Sequence, residues 1–198
     1  MRLTDGYHDV PNGKIALVVT HLELRAPHLR GVPCPKDLIF AELPRDLALY
    51  RRLFRQVGET WLWTDRLKMD DAALSRILED PQMQFYTLEK SGAPRAILEL
   101  DFSAPDACKL AYFGLAPDLI GTGAGAYLMD RAQELAFAQD GVTRFHLHTC
   151  TLDSPQALGF YRRSGFQPTH RQIEIADDPR LLGYHAMESM PELPIIEA

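Results

Sequence analysis

The sequence predicts an α+β fold: one mixed, mostly antiparallel sheet of six to seven strands, flanked by about four helices in α/β/α layers. Three observations predict it. Apolar residues recur at helical three- and four-residue steps in four segments. They alternate, or run unbroken over short stretches, in seven others. Finally, the three strand segments between 83 and 115 follow one another through short turns, whereas the later strands alternate with helices. That order gives antiparallel neighbours first and strand–helix–strand crossovers afterwards, which differs from a uniformly alternating doubly wound sheet.

Residues 15–24 open as a strand, β-branched at its start. Residues 26–36 hold three prolines and a glycine and read as a loop, followed by a short strand at 37–42. Pro44 suits the first position of a helix, where its missing N–H costs nothing. Leu47, Tyr50, Phe54 and Val57 form the inward stripe of that helix, and Gly58 stops it. Asp70 can cap a second helix, with Leu74, Ile77 and Leu78 inward and Pro81 ending it. The period then changes to two. Strands at 83–89 and 95–102 flank the turn Ser91-Gly92-Ala93-Pro94, and residues 103–107 lead into a strand at 108–115. A glycine-rich segment opens a helix over 123–139, the Asp140-Gly141 turn precedes a strand at 143–149, and a helix at 154–164 leads to a strand at 166–175. The tail, 176–198, is weakly patterned and could pack or fray.

The chain has 198 residues, which suits one domain spanning 1–198 with a core that needs no disulfide or metal. Lys and Arg number 21 against 27 Asp and Glu, a net charge of −6. That balance argues against a nucleic-acid binder, which needs a basic face, and suits a cationic or amine-bearing partner. Cys34, Cys108 and Cys150 cannot all pair, and the start MRLTDGYHDVPNGK lacks a secretory apolar run, so a reducing cytoplasmic setting is expected. The longest aliphatic run, Ile15 to Val19, is far short of a membrane span, and no membrane partner is expected.

Residues 115–126 place Gly121, Gly123 and Gly125 before a helix. Such a loop brings free backbone N–H groups and the positive end of a helix to one point, an arrangement suited to phosphate. A dinucleotide fingerprint, G-x-G-x-x-A, is literally present at Gly121, Gly123 and Ala126. However, Pro117-Asp118-Leu119 separate it from the preceding strand, and no acidic residue ends the next one. A P-loop is excluded because no Lys-Ser or Lys-Thr follows the glycines. A turn that merely lets the helix pack closely is the remaining alternative.

The segment 154–166, Ser-Pro-Gln-Ala-Leu-Gly-Phe-Tyr-Arg-Arg-Ser-Gly-Phe, completes a pattern. Together with the loop it resembles the GNAT superfamily of acetyl-CoA-dependent N-acyltransferases. The family's Arg/Gln-x-x-Gly-x-Gly/Ala maps onto Ile120-Gly121-Thr122-Gly123-Ala124-Gly125. Its Asn-x-x-Ala-x-x-x-Tyr-x-x-x-Gly-Phe maps onto Ser154, Ala157, Tyr161, Gly165 and Phe166. The match covers 83–174, and the first third fits the family's strand-plus-two-helices opening in outline. Ile120 replaces a cationic or polar residue, and Ser154 an Asn. The resemblance implies that strand 108–115 splays from 143–149, the fourth and fifth core strands, with the pantetheine arm of acetyl-CoA between them. It also implies cofactor contacts from Leu115, Gly121, Thr122, Gly123, Ala124, Gly125, Ala126, Ser154 and Ala157. The implied reaction is acetyl transfer from acetyl-CoA to a primary amine by direct attack in a ternary complex. The acceptor would be a small molecule or a peptide, no metal would be needed, and homodimers are common in such proteins. A CoA-binding sensor or interaction module with little catalysis is the alternative.

Amide formation needs a neutral amine, donors for the oxyanion and a proton for the departing thiolate. Tyr161 is the candidate acid, because a phenol keeps its proton at neutral pH; the resemblance places it beside the sulfur. Glu99 is the candidate base, since Ile97-Leu98-Glu99-Leu100 is too apolar for a casual carboxylate. A tight 103–107 connection pairs it with Tyr112, and a solvent-facing Glu99 is the competing reading. Asp101 shares its face, nearer the hairpin end. His146, His148 and Cys150 alternate on one face, but their spacing matches no usual zinc signature; His148 is a second candidate proton acceptor. Trp61, Trp63, Tyr86 and Tyr112 are candidates for the acceptor wall or for the core beneath the helices.

Overall fold

The computed structural model describes residues 4–197. Among them the chain runs β1 (Lys14–Leu24), β2 (Leu38–Glu42), α1 (Leu47–Gly58), α2 (Asp65–Lys68), α3 (Asp71–Glu79), β3 (Met83–Lys90), β4 (Ala93–Pro94) and β5 (Ala96–Ala104). It continues through β6 (Ala107–Leu115), α4 (Ala124–Ala138), β7 (Arg144–Cys150), α5 (Ala157–Arg163) and β8 (Gln167–Asp177). One eight-stranded sheet has the order β2-β3-β5-β6-β7-β1-β8, with β4 a two-residue rung on β3. That rung and the single turn of α2 account for the strand and the helix beyond those expected; both are too short for any periodicity to show.

Local chemistry explains the helix ends. Pro44 does not open α1. The Asp46 carboxylate does, accepting the Leu49 amide at 2.6 Å, and Gly58 closes the helix as expected. Asp70 caps α3 by accepting the Ala73 amide at 2.7 Å. Helices α1 and α3 bury Tyr50, Leu53, Phe54, Val57, Leu74 and Leu78 against Met83, Phe85 and Ile97 on one face of the sheet. On the other face, α4 buries Leu128, Met129, Ala132 and Ala136 against Leu98, Leu100, Cys108 and Phe145. Each Val, Leu, Ile, Phe or Met among them contributes about 1.5–3 kcal/mol on leaving water. Strand β5 is therefore covered on both faces, and residues 96–100 are all buried.

The sheet opens between β6 and β7. Parallel pairing covers only Ala107↔Arg144, Cys108↔Phe145 and Lys109↔His146. On its other side β6 pairs Leu110 with Leu100 and Tyr112 with Glu99, leaving Ala111 as an extra residue. Such a bulge bends and twists its strand, which carries residues 112–115 away from β7.

Strand β1 lies far from β2. It is antiparallel to both β7 and β8 and fills the gap that the β7-α5-β8 crossover leaves. Its buried side chains change face midway: Ile15, Leu17 and Val19 first, then Leu22 and Leu24, which join the α4 core. Residues 25–37 then cross α4 as a strap. The Asp130 carboxylate accepts the amides of Arg30 (3.0 Å) and Val32 (3.2 Å), and Gln133 accepts that of His28 (2.7 Å). The tail beyond β8 packs. Arg180, 3% exposed, pairs with Asp178 and donates to the carbonyls of Ser189, Met190 and Leu193, so one guanidinium organises an irregular segment. No helix among the described residues is long and apolar enough to cross a membrane.

Candidate active site

Where β6 and β7 part, within the sheet, lies a cleft of about 1430 Å³. That exceeds the usual span of a single small-molecule site, about 300–1,000 Å³. One end is the glycine loop. Gly121 and Gly123 have φ of +80° and +90°, a region that other residues avoid. A Cβ at either would meet no protein atom within 4 Å, so the loop's outer side faces open space. The amides alternate. Those of Thr122, Ala124 and Ala126 turn inward, to Leu119 O, Thr122 Oγ1 and Gly123 O. Those of Gly121, Gly123 and Gly125 have no acceptor among the described residues, and all three glycines line the cleft. Free amides at a helix start fit a phosphate chain such as that of acetyl-CoA.

The other expected cofactor contacts divide. Leu115, Ala126, Ser154 and Ala157 line the same cleft. Thr122 and Ala124 are not on its wall: Thr122 ties the loop through Oγ1 to Leu119 O at 2.7 Å, and Ala124 is fully buried in the α4 core.

Tyr161 lies at the floor, 8% exposed, its ring packed on Phe113, Phe160 and Phe166. Its hydroxyl has no hydrogen-bond partner among the described residues, and burial, then the Asp153 carboxylate, raises its pKa above the ordinary phenol value. The group therefore holds its proton at neutral pH.

Beyond Tyr161 the wall turns aromatic and acidic. Trp63 Nε1 donates to Asp153 Oδ1 at 3.3 Å, while Thr149 Oγ1 and the Cys150 amide donate to Oδ2 at 2.6 and 2.9 Å. The Trp63 ring stands 5.2 Å from Tyr112 and 5.5 Å from Phe54, so it serves both core and wall. Tyr112 donates to Asp65 at 3.3 Å beneath the Arg66 guanidinium, 5.1 Å from its ring centre. Burial raises the Tyr112 pKa as well. The tail fixes Trp63. The Thr64 hydroxyl donates to Leu62 O at 2.6 Å, so the His185 Nε2 contact with Thr64 Oγ1 makes Nε2 the protonated nitrogen. It also donates to Trp63 O at 3.1 Å. Trp61 lines the cleft too; Tyr86 does not, stacking instead on Phe40 near the sheet edge.

Glu99 pairs with Tyr112 across the hairpin, and it is fully buried rather than solvent-facing. Its carboxylate accepts from the Tyr50 hydroxyl and from Arg66 Nη2, the latter at 2.9 Å. Burial raises its pKa, with Arg66 and Tyr50 opposing. It does not line the cleft; Arg66 stands between. Asp101 and His148 do line it. Partial burial, then Lys109 and His21, holds the His148 pKa below its ordinary value, so the imidazole is neutral near pH 7. His146 and Cys150 share its strand, and among the described residues no group of three His, Cys, Asp or Glu is placed to hold a metal ion.

Sequence reasoning passed over Asp153, Arg66 and Asp65. Asp153 directly precedes the 154–166 segment, so its proximity to Tyr161 was legible in principle. Nothing local marks Arg66.

The model of the Acetyltransferase (GNAT) family matches residues 47–166. A functionally unknown conserved protein from Staphylococcus epidermidis superposes with a TM-score of 0.63 at 11% identity, covering 84% of this chain and 64% of its own. A GCN5-related N-acetyltransferase from Kribbella flavida gives 0.56 at 18%, covering 86% and 63%. An aminoglycoside acetyltransferase from an uncultured soil metagenomic sample gives 0.53 at 15%, covering 65% and 87%. The chain thus spans less than two thirds of the first two proteins, and at these identities the likeness is one of fold. A search of curated proteins gives no match.

Proposed function

Because the chain belongs to the acetyltransferase (GNAT) family, we propose that it moves an acetyl group from acetyl-CoA to a primary amine by direct attack in a ternary complex. The observation that carries this reading is the shared cleft, lined both by three glycines whose amides are free and by Tyr161, where β6 and β7 part. Bound acetyl-CoA would supply a thioester already activated towards an amine. The chain's own residues do the rest. The amides of Gly121, Gly123 and Gly125 hold phosphate, and the edge of β6 up to Leu115, which β7 leaves unpaired, offers backbone groups to the arm. Tyr161 gives its proton to the departing sulfur. Asp153 beside Trp63 and Asp65 beside Tyr112 offer carboxylates to a cationic acceptor. Neutral His148, which lines the cleft, takes the ammonium proton. Glu99, screened by Arg66, acts by fixing Arg66 and the wall above it.

The test is calorimetric titration with acetyl-CoA, with NADH as control, followed by thiol release across an amine panel. The panel begins with aminoglycosides, the acceptors named for one structural neighbour. Binding of acetyl-CoA alone and amine-dependent thiol release are expected. No binding overturns the reading. Binding without turnover on any amine moves the sensor alternative ahead.

A further inference from the structure

The glycine loop lacks a cation of its own. Ile120 stands where the resemblance expects a charged or polar side chain, and it is 58% exposed with nothing to offer a phosphate. Two guanidinium groups line the same cleft on the α4–α5 side, Arg30 and Arg163. Neither has an acidic partner or a side-chain hydrogen bond among the described residues, whereas Arg66, deeper in the cleft, is paired with Glu99.

Both are presented from fixed stems. Arg30 sits on the strap, held on either side by the anchors of His28, Arg30 and Val32 to Gln133 and Asp130. Arg163 lies in the last turn of α5 and folds back along its own helix. Its Nη1 passes 3.1 Å from where a Cβ on Gly159 would stand, so the glycine leaves room for it. The cleft wall thereby carries two unpaired guanidinium groups and free glycine amides, together with Lys68 and Lys109 among carboxylates such as Asp65 and Asp153. Unpaired guanidinium groups beside free amides suit a polyanion.

We infer that Arg30 and Arg163 are phosphate-binding residues that replace the missing cation at position 120, gripping the phosphates of the CoA nucleotide from the strap and from α5. The inference rests on the acetyl-CoA reading above. The shared chemistry is a phosphate dianion or diester held by guanidinium. Its sources are the ribose 3′-phosphate and the bridging pyrophosphate.

The experiment measures Kd by calorimetry for acetyl-CoA and for 3′-dephospho-acetyl-CoA, on wild type, R30Q, R163Q and the double variant. Arg52→Gln, exposed on α1 away from the cleft, is the control, and thermal unfolding verifies that each variant is folded. Each single loss is expected to weaken acetyl-CoA binding by about tenfold or more, as for a charge-assisted hydrogen bond. The slope of log Kd against log salt should fall as well. A loss seen only with acetyl-CoA identifies the 3′-phosphate, and a loss seen with both ligands identifies the pyrophosphate; either supports the inference. A folded double variant that binds acetyl-CoA within about twofold of wild type overturns it while leaving the acetyl-CoA reading intact. Wild type that binds no acetyl-CoA overturns both.

Discussion

Tyr161 shows how burial beside a carboxylate can prepare a group for a proposed role. Desolvation and the nearby Asp153 carboxylate both disfavour the phenolate, so the proton stays through neutral pH. Tyr161→Phe should lower kcat about a hundredfold while acetyl-CoA affinity, measured by calorimetry, is kept. The pH profile carries the sign. A raised acid pKa means that Tyr161 loses no proton below about pH 10, the ordinary phenol value. Activity should therefore rise with pH as the amine deprotonates, and show no alkaline fall before that point. An alkaline limb near neutrality would mean another acid. At Gly123 the backbone sets the demand, since φ of +90° costs a side-chain-bearing residue about 1–2 kcal/mol. Gly123→Val should abolish acetyl-CoA binding with a fall of a few degrees in Tm, read by calorimetric titration and thermal melt.

Among elements, the meeting of α1 with β6 shapes the proposed acceptor wall. A Cβ on Gly114 would lie 2.4 Å from Val57 Cγ1 and 2.7 Å from the Trp63 ring. One on Gly58 would lie 2.5 Å from Trp63 Cβ. The two glycines let the indole lie flat between helix and strand. Gly114→Ala forces α1 or Trp63 outward, at about 1–3 kcal/mol of stability. It should raise KM for the amine more than for acetyl-CoA, measured by initial rates with each substrate varied in turn. The bulge at Ala111 belongs to the same scale: it turns β6 aside and so makes the opening that the cleft occupies.

For the whole molecule, the first strand and the last segment close the structure around the site. The strap ties β1 to β2 across α4 through Asp130, which is 5% exposed. Asp130→Ala strands the amides of Arg30 and Val32, each at about 1–3 kcal/mol, and should lower Tm by several degrees. The same variant frees the stem of Arg30, so acetyl-CoA affinity should fall with it, measured by titration below the new Tm. The tail reports on pH. Hydrogen bonds from Arg180 hold the Asp178 carboxyl below the usual carboxylate range. Its stabilisation is complete above the unfolded value of about 3.9 and is lost as pH falls from there through the folded value. Acidification in that window should release the tail from Trp63, seen as a change in tryptophan fluorescence, and Arg180→Met should show the change at higher pH.

Much of this was legible in the sequence, because local spacing acts locally. Periodicity located the helices and main strands, Asp70 capped where it should, and the two motifs bracketed the cleft through Gly121, Gly123 and Tyr161. For Glu99 the apolar strand left burial and solvent exposure both open; the structure buries it, paired with Tyr112 across a hairpin with two register irregularities. The sequence could not say that Tyr50 and Arg66 would take that carboxylate, because they come from other elements. Nor could it place β1 between β7 and β8, route the strap over α4, or fold the tail onto Trp63. A strand's own residues fix its pleat and its buried face, whereas its neighbours are chosen by the burial and hydrogen bonding of the assembled sheet. Caps, turns and glycine conformations were therefore decided along the chain, and the partners of Glu99, Arg30 and Trp63 only across it.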